Sequence, residues 1–274
     1  MSVEYDRTAF IPSLNGQYKV LKKDVLKVCN QSDYIFQLGN LIGCNPFVAD
    51  KETQGANEAI LSNTLMYRAT DENWVQIVGS NEIAALNNPE EWTNQNSRKI
   101  LRDAWLGDTP SMMTASSSSG RLVTHGGLTY GEWVLIGRPD TAEEAADRLN
   151  EKYSRTLYQG PSFRLGNPPN YSANPIWADT FMELYPSWIT ALEPMPFDQI
   201  HGSYNLNTER GRLLLGKPEN PLYYIDHLNF RKWGSITDIK GMIITGIDLD
   251  LPPEIISSVP SHKSLYVEKQ KAES

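Results

Sequence analysis

The chain has 274 residues, 40% of them hydrophobic, and a formal net charge of −8. That supplies an ordinary globular core in one large α/β domain or two small ones, and the acidic balance argues against a face built for the nucleic-acid backbone. No run approaches the roughly 18 apolar residues a membrane span needs, and two cysteines, Cys29 and Cys44, make no disulfide framework.

The start, Met1-Ser-Val-Glu-Tyr-Asp6, is acidic and polar and lacks the apolar core of a signal peptide. A cytoplasmic protein is the expectation. Thr8-Ala-Phe-Ile11 reads as a first strand and Pro12 to Gly16 as a turn. Tyr18, Leu21, Val25 and Val28 recur at helical spacing over residues 17–29. Asp33 to Leu38 is a second, apolar strand, and this β-α-β order predicts a parallel pair.

Asn45 to Gln54 reads as loop, residues 55–67 as helix, and Trp74 to Val78 as a third strand running into Gly79-Ser-Asn-Glu82. A short helix is expected from Ile83 and another over residues 97–105. Thr114 to Gly120 reads as a polar turn, and Arg121 to Thr124 as a strand ending in His125-Gly-Gly-Leu128. Residues 141–153 give the clearest helix, with Thr141 as N-cap and Glu144 three residues on.

Residues 167–174, rich in Pro, Asn and Tyr, read as a surface loop, and residues 177–189 as a helix. Phe197 to Ile200 is a strand leading to His201-Gly-Ser203. Residues 212–215, 222–225 and 242–249 read as strands in hairpin order. Residues 1–251 make a single domain, and 252–274 a polar C-terminal arm with a frayed end.

Strand ends carrying Gly, Asn, Ser and His are where an open α/β sheet collects ligands. Their order here resembles the calcineurin-like metallophosphoesterase family, nearest its phosphoprotein-phosphatase and diadenosine-tetraphosphatase branch, over residues 8–250. Pro12-Ser13-Leu14-Asn15-Gly16 stands where that family has Gly-Asp-x-His-Gly. Gly39-Asn40 stands for Gly-Asp, and Gly43-Cys44 for the Asp-Arg of the same motif. Gly79-Ser80-Asn81-Glu82 stands for Gly-Asn-His-Glu. Thr124-His125-Gly126-Gly127 matches the fourth motif, and His201-Gly202-Ser203 the fifth, with Ser203 in the place of a His.

The resemblance implies a two-sheet β-sandwich flanked by helices (αββα). It also implies a centre of two divalent ions that clamp phosphate and generate hydroxide. Such ions need anionic oxygen or basic nitrogen. Ser13, Asn15, Asn40, Ser80 and Ser203 replace those ligands, and of the family's set His125 alone survives. Asn81 replaces the His that protonates the leaving group, which an amide cannot do near neutral pH. Gly16, Gly39, Gly79, Gly126 and Gly202, which serve the tight turns, are all kept.

The expectation is a metal-free, cofactor-free pseudophosphatase with no catalytic residue, acting by binding a protein or a phosphorylated or nucleotide ligand. The alternatives are a weak or remodelled metal-dependent phosphoesterase and a structural or assembly subunit. Degenerate copies of this family suit a phage or mobile-element gene. Replacing Asp by Asn at nearly constant shape also has a structural reading: with the cations gone, unpaired buried carboxylates are costly, and amides relieve the cost. An alternative expectation is a new metal site in which His201 and His227, with Asp226, join His125. Arg7, Arg121 and Arg164 are candidate basic contacts, and Tyr130, Tyr171 and Tyr204 a candidate aromatic face.

Overall fold

The computed structural model describes residues 5–11, 14, 16, 33–43, 55, 57–62, 73–87, 95–106, 114–116, 120–153, 170–179, 183–184, 187–188, 190–191, 193–201, 243–246, 262–263 and 266–271. The helix expected over 17–29, the loop over 45–54, the strands expected over 212–215 and 222–225, and Ser13, Asn15, Cys44, Arg164, Ser203, Tyr204 and His227 lie outside them.

The fold is mixed α/β, with two sheets and helices. In the first sheet, β1 (Tyr5–Ile11), β2 (Tyr34–Gln37) and β3 (Trp74–Gln76) are parallel neighbours, and β9 (Tyr266–Lys271) pairs antiparallel on the free side of β1. Phe10 stands opposite Phe36 in the register, and their rings stack at 5.3 Å between centroids. The second sheet orders β4 (Thr114–Ser116), β5 (Leu122–Thr124), β6 (Gln199–His201), β7 (Ile243–Gly246) and β8 (His262–Lys263). β4 runs antiparallel to β5, and the remaining pairs are parallel.

Three apolar clusters organise the chain. Phe10, Phe36, Leu38 and Ile77 from the first sheet share one with Ala115, Val123 and Ile200 from the second. Ile11, Ile35, Trp74 and Val78 pack with Ile60 and Leu61 of a helical stretch and with the helices α1 (Ser80–Asn87) and α2 (Gln95–Leu106). Leu122 packs with α3 (Tyr130–Leu135) and with α4 (Ala142–Tyr153). α4 buries Ala142, Ala145, Ala146 and Leu149, a single apolar stripe of helical period. Each large apolar side chain buried in these clusters contributes about 1.5–3 kcal/mol. Among the described residues no helix is long and apolar enough to cross a membrane.

The N-cap expected of Thr141 is present: its Oγ1 accepts from the Glu144 amide at 3.2 Å. Glu144 reaches back to the Asp140 N–H, also at 3.2 Å, one residue earlier than a standard capping box.

Several expectations are corrected. Residues 114–116, read as a polar turn, are β4, because Thr114 and Ala115 find cross-strand partners in Thr124 and Val123. The arm expected from residue 252 contributes β8 and β9, with β9 in register with β1 over six residue pairs. Its Glu and Lys content suits an edge strand, where charge discourages further pairing. α1 begins at Ser80 rather than Ile83. Tyr130 to Leu135, not expected as a helix, is one, with Thr129 capping the Glu132 amide at 3.4 Å. Of the helix expected over residues 177–189, Trp177 ends a turn and 178–179 carry no regular structure, whereas 183–184 and 187–188 are helical.

Candidate functional site

Three strand exits meet at one end of the two sheets. β2 runs out through Leu38 into Gly39 and Asn40, which both take positive φ, 87° and 51°. β3 runs out through Ile77 and Val78 into Gly79, and α1 follows. β5 runs out into His125-Gly126-Gly127.

The exits touch through their backbones. A Cβ on Gly39 would sit 2.6 Å from the Gly79 Cα and 2.9 Å from His125 Nδ1, and a Cβ on Gly79 would overlap the Asn40 nitrogen. Only glycine allows this approach. Behind the exits, buried amides fix the turn: Gln37 accepts from the Gly39 N–H at 2.9 Å and donates to the Gly39 carbonyl at 3.0 Å, and Gln76 donates to Gln37. On the other side, Asn57 accepts from the Gly43 N–H at 2.8 Å and donates to the Gly43 carbonyl at 3.0 Å.

Of the expected site residues, the structure brings together Asn40, Ser80, Asn81 and His125. The Asn40 side-chain oxygen accepts from the Asn81 N–H at 2.8 Å and from the Ser80 hydroxyl at 3.3 Å. Asn81 donates its own side-chain amide to the Ile42 carbonyl at 2.8 Å. His125 Nδ1 lies 2.7 Å from the Leu38 carbonyl oxygen. A carbonyl only accepts, so Nδ1 carries the hydrogen and Nε2 presents its lone pair, 3.5 Å from Ser80 Oγ. His125 is fully buried, and burial lowers its pKa to about 4 against the raising effect of the Leu38 bond. It is neutral at pH 7.

Sequence reasoning gave Glu82 no role beyond closing the Gly79-Ser80-Asn81-Glu82 motif. Its carboxylate accepts from the N–H groups of Asn40 at 2.9 Å, Gly79 at 3.0 Å and Ile42 at 3.2 Å. It is fully buried, and burial raises its pKa while these backbone donors pull it back. The signal was available: once α1 starts at Ser80, Glu82 falls in the first helical turn, where a carboxylate complements exposed N–H groups.

Of the remaining expected site residues, Ser13, Asn15 and Ser203 lie outside the described residues. His201 is buried at the end of β6, in register with Thr124, the residue before His125. Leu14 and Gly16, which bracket Asn15 and adjoin Ser13, donate to the carbonyls of Asn40 at 2.9 Å and Leu41 at 2.8 Å. The loop of the first motif thus lies against that of the second. Arg121 is removed from the candidate basic contacts. It stands before β5, at the opposite end from His125, where it pairs with Asp198 at 3.4 Å. Tyr130 does not belong to an open aromatic face: it packs on Trp133 and Trp188, at 5.8 and 5.4 Å between centroids.

A two-ion centre needs several anionic or imidazole ligands converging on one space. The described residues offer one imidazole nitrogen, a hydroxyl and an amide oxygen already engaged by two donors. The nearby carboxylate, Glu82, is turned into the backbone. Among the described residues no three His, Cys, Asp or Glu side chains are placed to hold an ion. These residues do not fit such a centre.

No family model matches the chain. No curated protein gives a significant sequence match. Among solved structures, the chain is similar to a cold-active protein-tyrosine phosphatase of a psychrophile, Shewanella sp., with a TM-score of 0.37, 14% identity, and 58% of this chain and 52% of that one covered. A second structure of a cold-active protein tyrosine phosphatase gives the same TM-score and identity over 58% of this chain and 51% of that one. The chain therefore spans about half the length of the structures it matches.

Proposed function

We propose that this protein is a pseudophosphatase: a metallophosphoesterase-like scaffold that binds a protein, or a phosphorylated or nucleotide ligand, without hydrolysing it and without a metal centre. The observation that carries this reading is the hydrogen bonding of Asn40. Where a metal-binding carboxylate would stand, its amide oxygen accepts from the Asn81 N–H and the Ser80 hydroxyl. A carboxylate holding a cation there would need its oxygens free for the ion. Asn40, Ser80 and Asn81 are thus tied into a neutral hydrogen-bonded set that also reaches the Ile42 carbonyl.

The finer fold reading, a two-sheet sandwich with helices on its outer faces, is supported by the clusters. One contains residues of both sheets, and the other two join a sheet to helices.

The test is a metal titration of the full chain, following thermal melting and hydrolysis of a generic phosphodiester. Manganese, zinc and iron are expected to leave both unchanged. A strong rise in melting temperature, as binding to the folded state produces, together with metal-dependent hydrolysis, would replace this reading with a remodelled phosphoesterase.

A further inference from the structure

β4 is an edge strand of the second sheet, and its neighbours fix which way its backbone groups point. The Leu122 N–H donates to the Asp198 carbonyl at 2.9 Å, so Leu122 faces β6 and the next residue, Val123, faces β4. Backbone groups alternate sides along a strand. Ala115, opposite Val123, therefore faces β5, while Thr114 and Ser116 direct their N–H and carbonyl groups outward. At Thr114 the outward edge is closed by α4. The Asn150 side chain accepts from the Thr114 N–H at 3.1 Å and donates to the Thr114 carbonyl at 2.9 Å. One amide thus pairs with the edge as a neighbouring strand would.

Ser116 is the next outward-facing position, about 7 Å further along, and it borders an open cavity of about 760 Å³. β4 and α4 run in opposite directions: Thr114 meets Asn150 and Ala146, whereas Ser116 shares the cavity with the first turn of the helix. Glu143, in that turn, precedes Asn150 by two helical turns on the same stripe of α4. The carboxylates of Asp140 and Glu143 line the cavity and are exposed, and among the described residues neither has a partner. The cap of α4 does not use them, being built from Thr141 and Glu144. Arg121 and Asp198 pair with each other in another wall, and Phe197 gives the cavity an apolar side.

We propose that the outer edge of β4 at Ser116, together with this cavity, docks an extended segment of a partner protein that carries a lysine or arginine. The partner's backbone pairs with Ser116 as the Asn150 amide pairs with Thr114, and so adds to the sheet edge. Its basic side chain runs past Phe197 to the carboxylates of Asp140 and Glu143. With Arg121 matched by Asp198, those two carboxylates are the surplus charge of the lining, and an acidic segment is refused. An exposed ion pair alone contributes little, so the backbone pairing and the charge act together. This surface lies at the far end of the second sheet from His125. It goes beyond the function proposed for the strand exits and stands independently of it.

The experiment uses the full chain, isotope-labelled for amide NMR, and a blocked peptide, acetyl-Thr-Val-Lys-Val-Thr-amide, as the probe. Three controls accompany it: the same peptide with Glu in place of Lys, the lysine peptide N-methylated at both valines, and spermidine, a cation with no peptide backbone. The lysine peptide is expected to shift the amide signals of Ser116 and Glu143 and to leave those of Asn81 and His125 in place. The double variant Asp140→Asn, Glu143→Gln changes two exposed side chains outside the cap, so it should fold as the wild type does and bind the lysine peptide about tenfold more weakly or worse. N-methylation should cost a comparable factor, the glutamate peptide should not bind, and the wild-type affinity should fall as salt rises.

Failure of the lysine peptide to bind overturns the proposal, and so does binding that the double variant leaves unchanged. Spermidine or the N-methylated peptide binding as tightly as the lysine peptide also overturns it, since the edge would then play no part. Shifts confined to Asn81 and His125 overturn it as well, and put the peptide at the strand exits. If the double variant does not fold, the glutamate and N-methylated peptides on the wild type decide the matter. Metal retained at the strand exits tells against the metal-free reading there and leaves the β4 edge untouched.

Discussion

Replacing His125 by Asn removes a titrating group while keeping a donor near the position of Nδ1, within reach of the Leu38 carbonyl. The imidazole falls from its ordinary 6.5 to about 4 on folding, chiefly because it is fully buried. At about 1.4 kcal/mol per pH unit, the gap corresponds to roughly 3 kcal/mol. The sign follows from where the protons go. Between pH 6.5 and 4 the unfolded chain binds a proton that the folded chain refuses. This part of the stability is therefore present above pH 6.5 and is lost as pH falls toward 4. Other carboxyl and imidazole groups titrate in the same window, so the quantity to measure is a difference. Urea denaturation of wild type and His125→Asn at pH 7 and pH 4.5 gives four unfolding free energies. The wild type is expected to lose about 2 kcal/mol more than the variant between the two pH values. Equal losses would refute the argument, since they would mean that His125 is not held neutral between Leu38 and Ser80.

Other outcomes follow from particular contacts. Gly79→Ala should destabilise by about 3 kcal/mol or more, because the new Cβ overlaps the Asn40 nitrogen and the strand exits cannot separate without breaking the Glu82 bonds. An unchanged urea midpoint would contradict it. Thr141→Ala should cost about 1 kcal/mol through loss of the cap on Glu144, read from the same denaturation curves. Deleting residues 266–274 removes β9 from β1, and a marked drop in the denaturation midpoint is expected. A midpoint equal to that of the full chain would show that the segment behaves as the free arm its composition suggests.

The first sheet is readable in the sequence because its strands are short apolar runs. Ile35 and Phe36 in β2, and Trp74 in β3, announce burial on both faces, as parallel strands require. α4 is readable for the complementary reason: its alanines and Leu149 recur at helical period behind a Thr cap. What escapes is structure fixed by partners distant in sequence. β4 is a three-residue strand in a Ser-rich stretch, and its existence depends on Thr124 and Val123 lying alongside. β9 carries Glu and Lys and looks solvated until it is placed at the edge of β1, more than 250 residues away.

At the site, Asn40, Ser80, Asn81 and His125 could be picked out because each follows a strand exit marked by glycine or flanked by one. Glu82 is legible only as the last residue of its motif, because its role depends on three N–H groups, two of them some forty residues away, and on a helix that begins three residues earlier than its apolar pattern indicates. The start of α1 is set by Ser80 and Asn81, poor interior helix formers that serve well in a first turn.

The strand exits carrying Asn40, Ser80, Asn81 and His125 are proposed to work without bound cations. Metal analysis of the full chain, loaded with excess manganese or zinc and then freed of unbound ion by gel filtration, tests this most directly. Ion content far below one per chain, unchanged by a chelator, is expected. Retention of close to two ions per chain, lost together with stability when a chelator is added, would contradict it.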